Sequence, residues 1–337
     1  MAGFTGNPSI IQKAQSVPTS WLWPGFAHGR RASRDVAATN VQDYPLSEHI
    51  RMTLLRSMPA SVRLAAGASL SIFAAMLAMT APAAAQGKLE ARYDVTLAGI
   101  LVGTGDWAVD ILDDQYSAAA SGGATGLLKV FAHGGGTGSS QGRIVNGALV
   151  PATYTATISS SKKSETIRMS LAGGNVKDFV IEPTPPVDAK RIPVTDAHKR
   201  GVFDPMSATL LRVPGTADPL GPDACHASTG IFDGRMRYDL RLDFKRMETV
   251  KSEKGYHGPV VVCAIYFSPI AGYVPDRFAI KYLAARRDME IWLAPIAGTR
   301  VLVPYRLTIP TPLGTGKLEA TQFITTAIPP KTASKTQ

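Results

Sequence analysis

Two cysteines and one charged turn are the residues of this chain whose types and spacing could do chemistry. Cys225 and Cys263 stand 38 residues apart. A redox pair would sit closer, as Cys-x-x-Cys, so the spacing favours a structural disulfide in an oxidising compartment over a catalytic pair. Closing a loop of that length stabilises a fold by roughly 4 kcal/mol in the chain-entropy account. The second feature is Phe232-Asp-Gly-Arg-Met-Arg-Tyr238. Its Asp-Gly pair is strong turn chemistry, because glycine tolerates positive φ and the aspartate can hydrogen-bond the local backbone. Asp233, Arg235 and Arg237 then read either as a charged recognition site at a hairpin tip or as a plain turn with solvated arginines.

The remaining search gives negatives that exclude common chemistries. There is no Gly-x-Ser-x-Gly elbow, no phosphate loop ending in Gly-Lys-Ser/Thr and no His-Glu-x-x-His helix. Gly134-Gly-Gly-Thr-Gly138 lacks the lysine and hydroxyl that cradle phosphate, and reads as a turn or a bulged strand start. Beyond residue 85 the histidines are His133, His198, His226 and His257, too scattered to form a metal site without help from folding. His226 beside Cys225 is the one weighed for a ligand or acid/base role, against an ordinary surface histidine. No catalytic residue, cofactor or metal ligand is assigned, and a non-enzymatic role is expected. A hydrolase assembled from scattered groups is the enzymatic alternative.

The run after Arg63 says where the protein goes. Arg56 and Arg63 precede the apolar core Leu70–Met79, and small residues lead to Ala83-Ala84-Ala85. Ala83 and Ala85 supply the small side chains that a signal peptidase needs, so cleavage is expected before Gln86, with delivery to the periplasm. The alternative is a retained anchor: the 24 uncharged residues from Leu64 to Gly87 would cover about 36 Å as a helix. A signal should open the translated chain, which makes Met52 the expected start. Residues 1–51 are then a disordered leader or a start-site artefact, residues 52–85 the signal, residues 86–330 one β-rich domain and residues 331–337 a frayed tail. Arg30-Arg31 reads as an incidental pair, being far from the apolar core.

After residue 85 the chain carries 29 lysines and arginines against 23 aspartates and glutamates, spread along its length. That is a solvated, mildly basic exterior; weak attraction to anionic lipids or envelope polymers remains compatible with it. No basic run with interleaved aromatics points to nucleic acid. No transmembrane segment is expected in the mature chain.

Period-two alternation dominates the chain beyond the signal. In Leu89-Glu-Ala-Arg-Tyr-Asp-Val-Thr-Leu97 every odd position is apolar, and Tyr238, Leu240, Leu242 and Phe244 repeat the pattern. These are half-buried antiparallel strands. Further strands are expected over 104–112, 115–121, 137–145, 150–159, 164–172 and 175–182, with hairpin spacing. Val260–Phe267 is apolar on both faces and reads as a central strand holding Cys263. Short helices are expected over 126–132, 205–212, with Asp204 as N-cap and Pro205 at the first position, and 276–287. The proline-rich stretch 183–222 reads as an irregular connection crossing an edge or end of the sheet. The fold class is mainly β: a large curved antiparallel sheet forming an open or incomplete barrel, with a few short helices.

The ordered series Ala91-Arg-Tyr-Asp-Val-Thr-Leu-Ala-Gly-Ile-Leu-Val-Gly103, Gly126-Leu-Leu, Phe203-Asp-Pro-Met-Ser207, Phe232-Asp-Gly-Arg, Ile291-Trp-Leu, Val303-Pro and Thr311-Pro-Leu-Gly314 resembles the domain of unknown function 3108 family of bacterial envelope proteins. The resemblance spans nearly all of 88–327 and implies an exported β-rich protein; it supplies no catalytic residues. The leading functional expectation is a non-enzymatic envelope protein whose curved sheet shelters a lipid or other apolar ligand, with Leu127–Phe131 as a cover. Envelope lipid carriers offer a fold-level analogy for this. The alternative is an interaction or scaffold protein touching peptidoglycan, the outer membrane or another envelope protein.

Overall fold

The period-two segments become strands throughout. The computed structural model describes residues 86–126, 134–161 and 163–329. Seven strands run as a meander: β1 (Gln86–Leu97), β2 (Ile100–Ile111), β3 (Gln115–Ala124), β4 (Gly134–Val145), β5 (Ala148–Ser160), β6 (Ser164–Ala172) and β7 (Asn175–Glu182). A long connection comes next, holding 3-10 turns at Asp196–Lys199, Ser207–Thr209 and Pro222–Cys225 and the two-residue strand β8 (Leu211–Arg212). Then come β9 (Ser228–Phe232), β10 (Arg237–Lys251), the short β11 (Lys254–Gly255), β12 (His257–Ala271), helix α1 (Phe278–Ala285), β13 (Met289–Pro295), β14 (Val301–Thr311) and β15 (Gly314–Ile328).

All strands join one sheet of 15, in the order β7-β6-β5-β4-β3-β2-β1-β15-β14-β13-β12-β10-β9, with β8 on β14 and β11 on β15. The main path is antiparallel, and β1 sits between β2 and β15, so the last strand returns to the first. This is the expected large, mainly β, antiparallel sheet, and it is not closed: no ladder joins its end strands β7 and β9 among the described residues.

A short strap links those ends instead. Arg200 bridges to Asn175 of β7, and Val202 donates its N–H to the Gly174 carbonyl at 2.8 Å. One residue on, Phe203 donates to Gly230 of β9 at 2.8 Å and accepts from Phe232 at 3.0 Å. The irregular connection therefore crosses between the two ends of the sheet. Around this seam Val202 and Phe232 pack with Tyr154, Ile167, Met169 and Ile181.

Two further cores lie on opposite faces of β12. Val260 and Val262 join Leu89, Tyr93, Ile111 and Tyr305, whereas Val261, Cys263 and Ile265 join Leu240, Ile291 and Leu302. The doubly apolar run is thus a central strand because each face has its own core to fill. Glycines let β2–β5 coil tightly: a Cβ on Gly122 would lie 2.9 Å from the Thr104 carbonyl oxygen, and one on Gly136 equally close to that of Thr157. The Gly134 cluster opens β4 as an ordinary strand start.

The helix expected over 205–212 stops after one 3-10 turn. Leu210 turns extended, with ψ 91°, and enters the first core. Leu211 packs against the second core while Leu211 and Arg212 pair with β14. A helix could not send adjacent leucines into two cores. The helix expected over 276–287 forms at 278–285, and the one expected over 126–132 lies beyond Gly126 outside the described residues. Ala83 and Ala85 also lie outside them, while Gln86 opens β1 and is buried. Among the described residues no helix is long and apolar enough to cross a membrane, which leaves strand-built crossings unaddressed.

Two hairpin turns have matching backbones and different chemistry. Asn146 and Gly147 connect β4 to β5 with φ of 49° and 77°; Ala98 and Gly99 connect β1 to β2 with 51° and 82°. Asparagine tolerates the left-handed region and alanine resists it. Ala98→Asn is expected to raise unfolding free energy by about 0.5–1 kcal/mol, measured by urea titration. No gain would mean that the turn relaxes around alanine at no cost.

Candidate functional site

Chemistry-bearing side chains converge where the strap enters the barrel. Asp204 follows Phe203 directly and is fully buried, as are Ser140 of β4 and Ser207, with Tyr116 of β3 beside them. Ser140 Oγ lies 3.1 Å from Asp204 Oδ2 and 2.7 Å from Ser207 Oγ, and Ser207 Oγ lies 2.7 Å from the Tyr116 hydroxyl. Asp204 Oδ1 accepts the N–H groups of Met206 at 3.0 Å and Ser207 at 2.9 Å. The aspartate therefore does cap the turn after Pro205, as its sequence position suggested, and the same carboxylate reaches across to β4.

Small residues on the inner face of β4 make this contact possible. A Cβ on Gly142 would lie 2.5 Å from the Tyr116 ring, and one on Gly138 would lie 2.9 Å from the Met206 methyl. Glycine at 138 and 142 with serine at 140 gives space for the ring and the methionine, and a hydroxyl between them.

Each hydroxyl has one proton to donate, which fixes the order of the chain when Asp204 is ionised. Tyr116 donates to Ser207, Ser207 to Ser140, and Ser140 to the carboxylate. When Asp204 is neutral its own O–H donates to Ser140, whose proton turns to the Thr153 carbonyl 3.2 Å away. Both states satisfy every group, so desolvation decides between them. Burial pushes the Asp204 carboxyl up, against the hydrogen bonds from Ser207, Ser140 and Met206 that favour its charge. Burial likewise raises Tyr116, Tyr154 and Tyr238, and the negative potential of Asp204 adds to it.

The Asp233 turn faces the same seam. Asp233 Oδ1 accepts N–H bonds from Arg235 and Met236, both at 2.7 Å, and desolvation raises its carboxyl despite them. Gly234, at φ 91°, packs against Ile167 of β6 and Ile181 of β7. Arg235 forms a fork with Glu165 of β6, and Arg237 binds Asp239 and the Tyr238 carbonyl. Both arginines are largely covered, so the turn engages this chain's own β6–β7 end. The sequence pointed to Asp233, Arg235 and Arg237; it held no sign of Glu165, 70 residues from Arg235.

Cys225 and Cys263 are bonded, with Cα atoms 5.6 Å apart, tying the last 3-10 turn to β12 beside β9 and β10. His226 lies next to exposed Asp223, His198 accepts the Thr195 N–H through Nδ1 at 3.1 Å, and His257 is exposed at the start of β12. His133 is outside the described residues. Among the described residues no three His, Cys, Asp or Glu side chains are placed to hold a metal. The Ser140–Ser207–Asp204 cluster has hydroxyls and a carboxylate, and among the described residues no histidine hydrogen-bonds to it. Its chemistry is that of a clip. Ser140 and Ser207 escaped sequence reasoning because only the barrel's roll brings them together.

Two hollows differ in size and lining. An apolar cavity of about 30 Å³ lies among Ala208, Leu211, Leu240, Ile265, Ile291 and Leu293. An open hollow of about 460 Å³ lies on β2–β5, floored by glycines and rimmed by Thr104, Asp106, Ser121, Thr137, Thr157 and Ser159.

Fold and seam define a mainly β protein whose long antiparallel sheet rolls into an incomplete barrel and is clipped by a buried hydroxyl–carboxylate cluster. Residues 92–321 match the family described as a protein of unknown function, DUF3108, and the chain belongs to that family. No curated protein and no solved structure matches it.

Two outcomes are expected of the clip. A carboxyl raised in the fold stabilises fully below its unfolded pKa, and that contribution is lost as pH rises through the folded value. The stability of wild type relative to Asp204→Asn should therefore fall from pH 4 upward before levelling, by about 1.4 kcal/mol for every tenfold gain in proton affinity that folding gives the carboxyl; thermal melts across pH would show it, and a constant difference would refute it. Gly142→Ala should cost about 1–3 kcal/mol by driving a methyl into the Tyr116 ring, read by chemical denaturation.

Proposed function

We propose that this chain is a non-catalytic protein exported to the cell envelope that acts through its surface as an interaction or scaffold component. The observation that carries this reading is the small size of the apolar cavity among side chains of β10, β12 and β13. A cavity of about 30 Å³ holds roughly one water, whereas small-ligand pockets run to about 300 Å³ or more. The buried Asp204–Ser140–Ser207 cluster is hydrogen-bonded within the chain. Large apolar side chains meanwhile stand exposed, among them Ile100 at the start of β2, Leu313 in the β14–β15 turn and Phe278 at the start of α1.

Export is supported by the signal pattern that ends at Ala85 and by the Cys225–Cys263 bond, which suits an oxidising compartment. The open hydroxyl-rimmed hollow is a second surface feature. Among the described residues its lining has no aromatic ring on which a sugar could stack, so it adds no separate reading.

Native mass spectrometry of the protein purified gently from its envelope fraction tests interior against surface. The expected species is the ligand-free chain beginning at Gln86. A lipid that co-purifies and survives in the gas phase would reverse the reading in favour of an internal shelter, and a product retaining residues before Ala85 would remove the cleavage step.

A further inference from the structure

The strand directions put the β1–β2, β14–β15 and β12–β13 connections at one end of the sheet. We propose that this end docks on a lipid surface bearing anionic headgroups, with the two hairpin tips entering its apolar margin. The proposal rests on the surface reading above and names the partner.

The tips touch. Ala98 donates its N–H to the Thr315 carbonyl at 3.0 Å, and a Cβ on Gly314 would lie 2.7 Å from that of Ala98. Together they present Ile100 at 59% exposure, Leu101 at 39% and Leu313 at 74%. No charged residue occurs from Val95 to Gly105 or from Leu307 to Gly316. Isolated exposed leucines are ordinary on soluble proteins; adjoining apolar tips without a charge are not ordinary turn chemistry.

The opposite end provides the comparison. Three of its connections use Asp113-Asp114, Asn146-Gly147 and Ser252-Glu253-Lys254, the polar residues that turns normally select. Ala98 has the backbone of Asn146 with an apolar side chain in its place. The β14–β15 tip also satisfies its own backbone: Thr311 Oγ1 accepts the Leu313 N–H at 3.2 Å and donates to the Gly314 carbonyl at 2.7 Å. Backbone groups paired in this way can leave water at little cost.

Charge at the same end complements an anionic surface. The segment 274–288 around α1 carries Arg277, Lys281, Arg286 and Arg287 against Asp276 and Asp288, and exposes Phe278 at 67%. Apolar insertion with nearby cations is how proteins attach to anionic bilayers without spanning them.

The probe is a vesicle of phosphatidylglycerol mixed with phosphatidylethanolamine, with phosphatidylcholine vesicles as the neutral control, in a flotation assay with purified protein. Wild type should float with the anionic vesicles and lose binding as salt is raised. Ile100→Asp with Leu313→Asp should lower partitioning by about tenfold or more while its melting curve stays cooperative. Lys281→Glu with Arg287→Glu should remove the preference for phosphatidylglycerol. Wild type failing to float, or the tip variant floating equally well, overturns the proposal. Its failure is separable from that of the surface reading, because a lipid held inside the barrel would co-purify with wild type and tip variant alike.

Discussion

A rolled sheet with two free edges must do something with them, and the rest of this structure depends on the strap that links β7 to β9. Unpaired edges expose rows of N–H and C=O groups that recruit other strands. Residues 200–203 answer part of that demand on both sides with backbone bonds. Four residues cannot hold the seam by those bonds alone. The Asp204 clip fastens the strap to β4 and β3, the Asp233 turn presses on β6 and β7, and Arg235 reaches Glu165. Each contact joins segments far apart in sequence, so the seam forms only when the whole sheet has rolled.

This arrangement explains why the most polar part of the interior is also one of its most constrained. A buried carboxylate with no cation against it is costly unless every lone pair is used. Asp204 uses two backbone donors and one hydroxyl, and the Ser140 proton can turn to the Thr153 carbonyl when the carboxyl is neutral. The cluster resembles a reactive constellation in composition alone. With Ser207 and Ser140 wholly buried and turned toward each other, the hydroxyls complete a network.

Local pattern was enough to read much of the sheet. The alternation at Leu89–Leu97 and Tyr238–Leu242 and the two-faced run at Val260 reflect burial of each strand, which a strand's own residues encode; Phe244, expected on the same face, is exposed beside a bulge. The Cys225–Cys263 pairing was legible because only two cysteines were available. What escaped was set by distance: Glu165 as partner of Arg235, Ser140 as partner of Asp204, and the strap itself. The arrested helix at 205–212 shows the competition directly. Capping chemistry at Asp204 and Pro205 starts the turn, and the demand of two separate cores for Leu210 and Leu211 ends it. The motifs that carried the family resemblance fall at these same places: Phe203–Ser207 is the clip, Phe232–Arg235 the facing turn, and Thr311–Gly314 with Ala98–Gly99 the adjoining tips.

The buried hydroxyl–carboxylate cluster at the seam is paired group by group. The outer face of β10–β15 is no exception to internal satisfaction. Trp292 donates to Glu248 at 2.7 Å beneath the guanidinium groups of Arg246 and Arg306, while Glu290 and Glu319 neutralise the cations around them. That surface is compensated charge by charge. The tips of β1–β2 and β14–β15 differ in kind: their backbone is satisfied, their side chains are apolar, and water is a poor partner for them. The contrast between Ala98 and Asn146, with the same backbone at opposite ends of one sheet, shows that the fold did not require an apolar residue there.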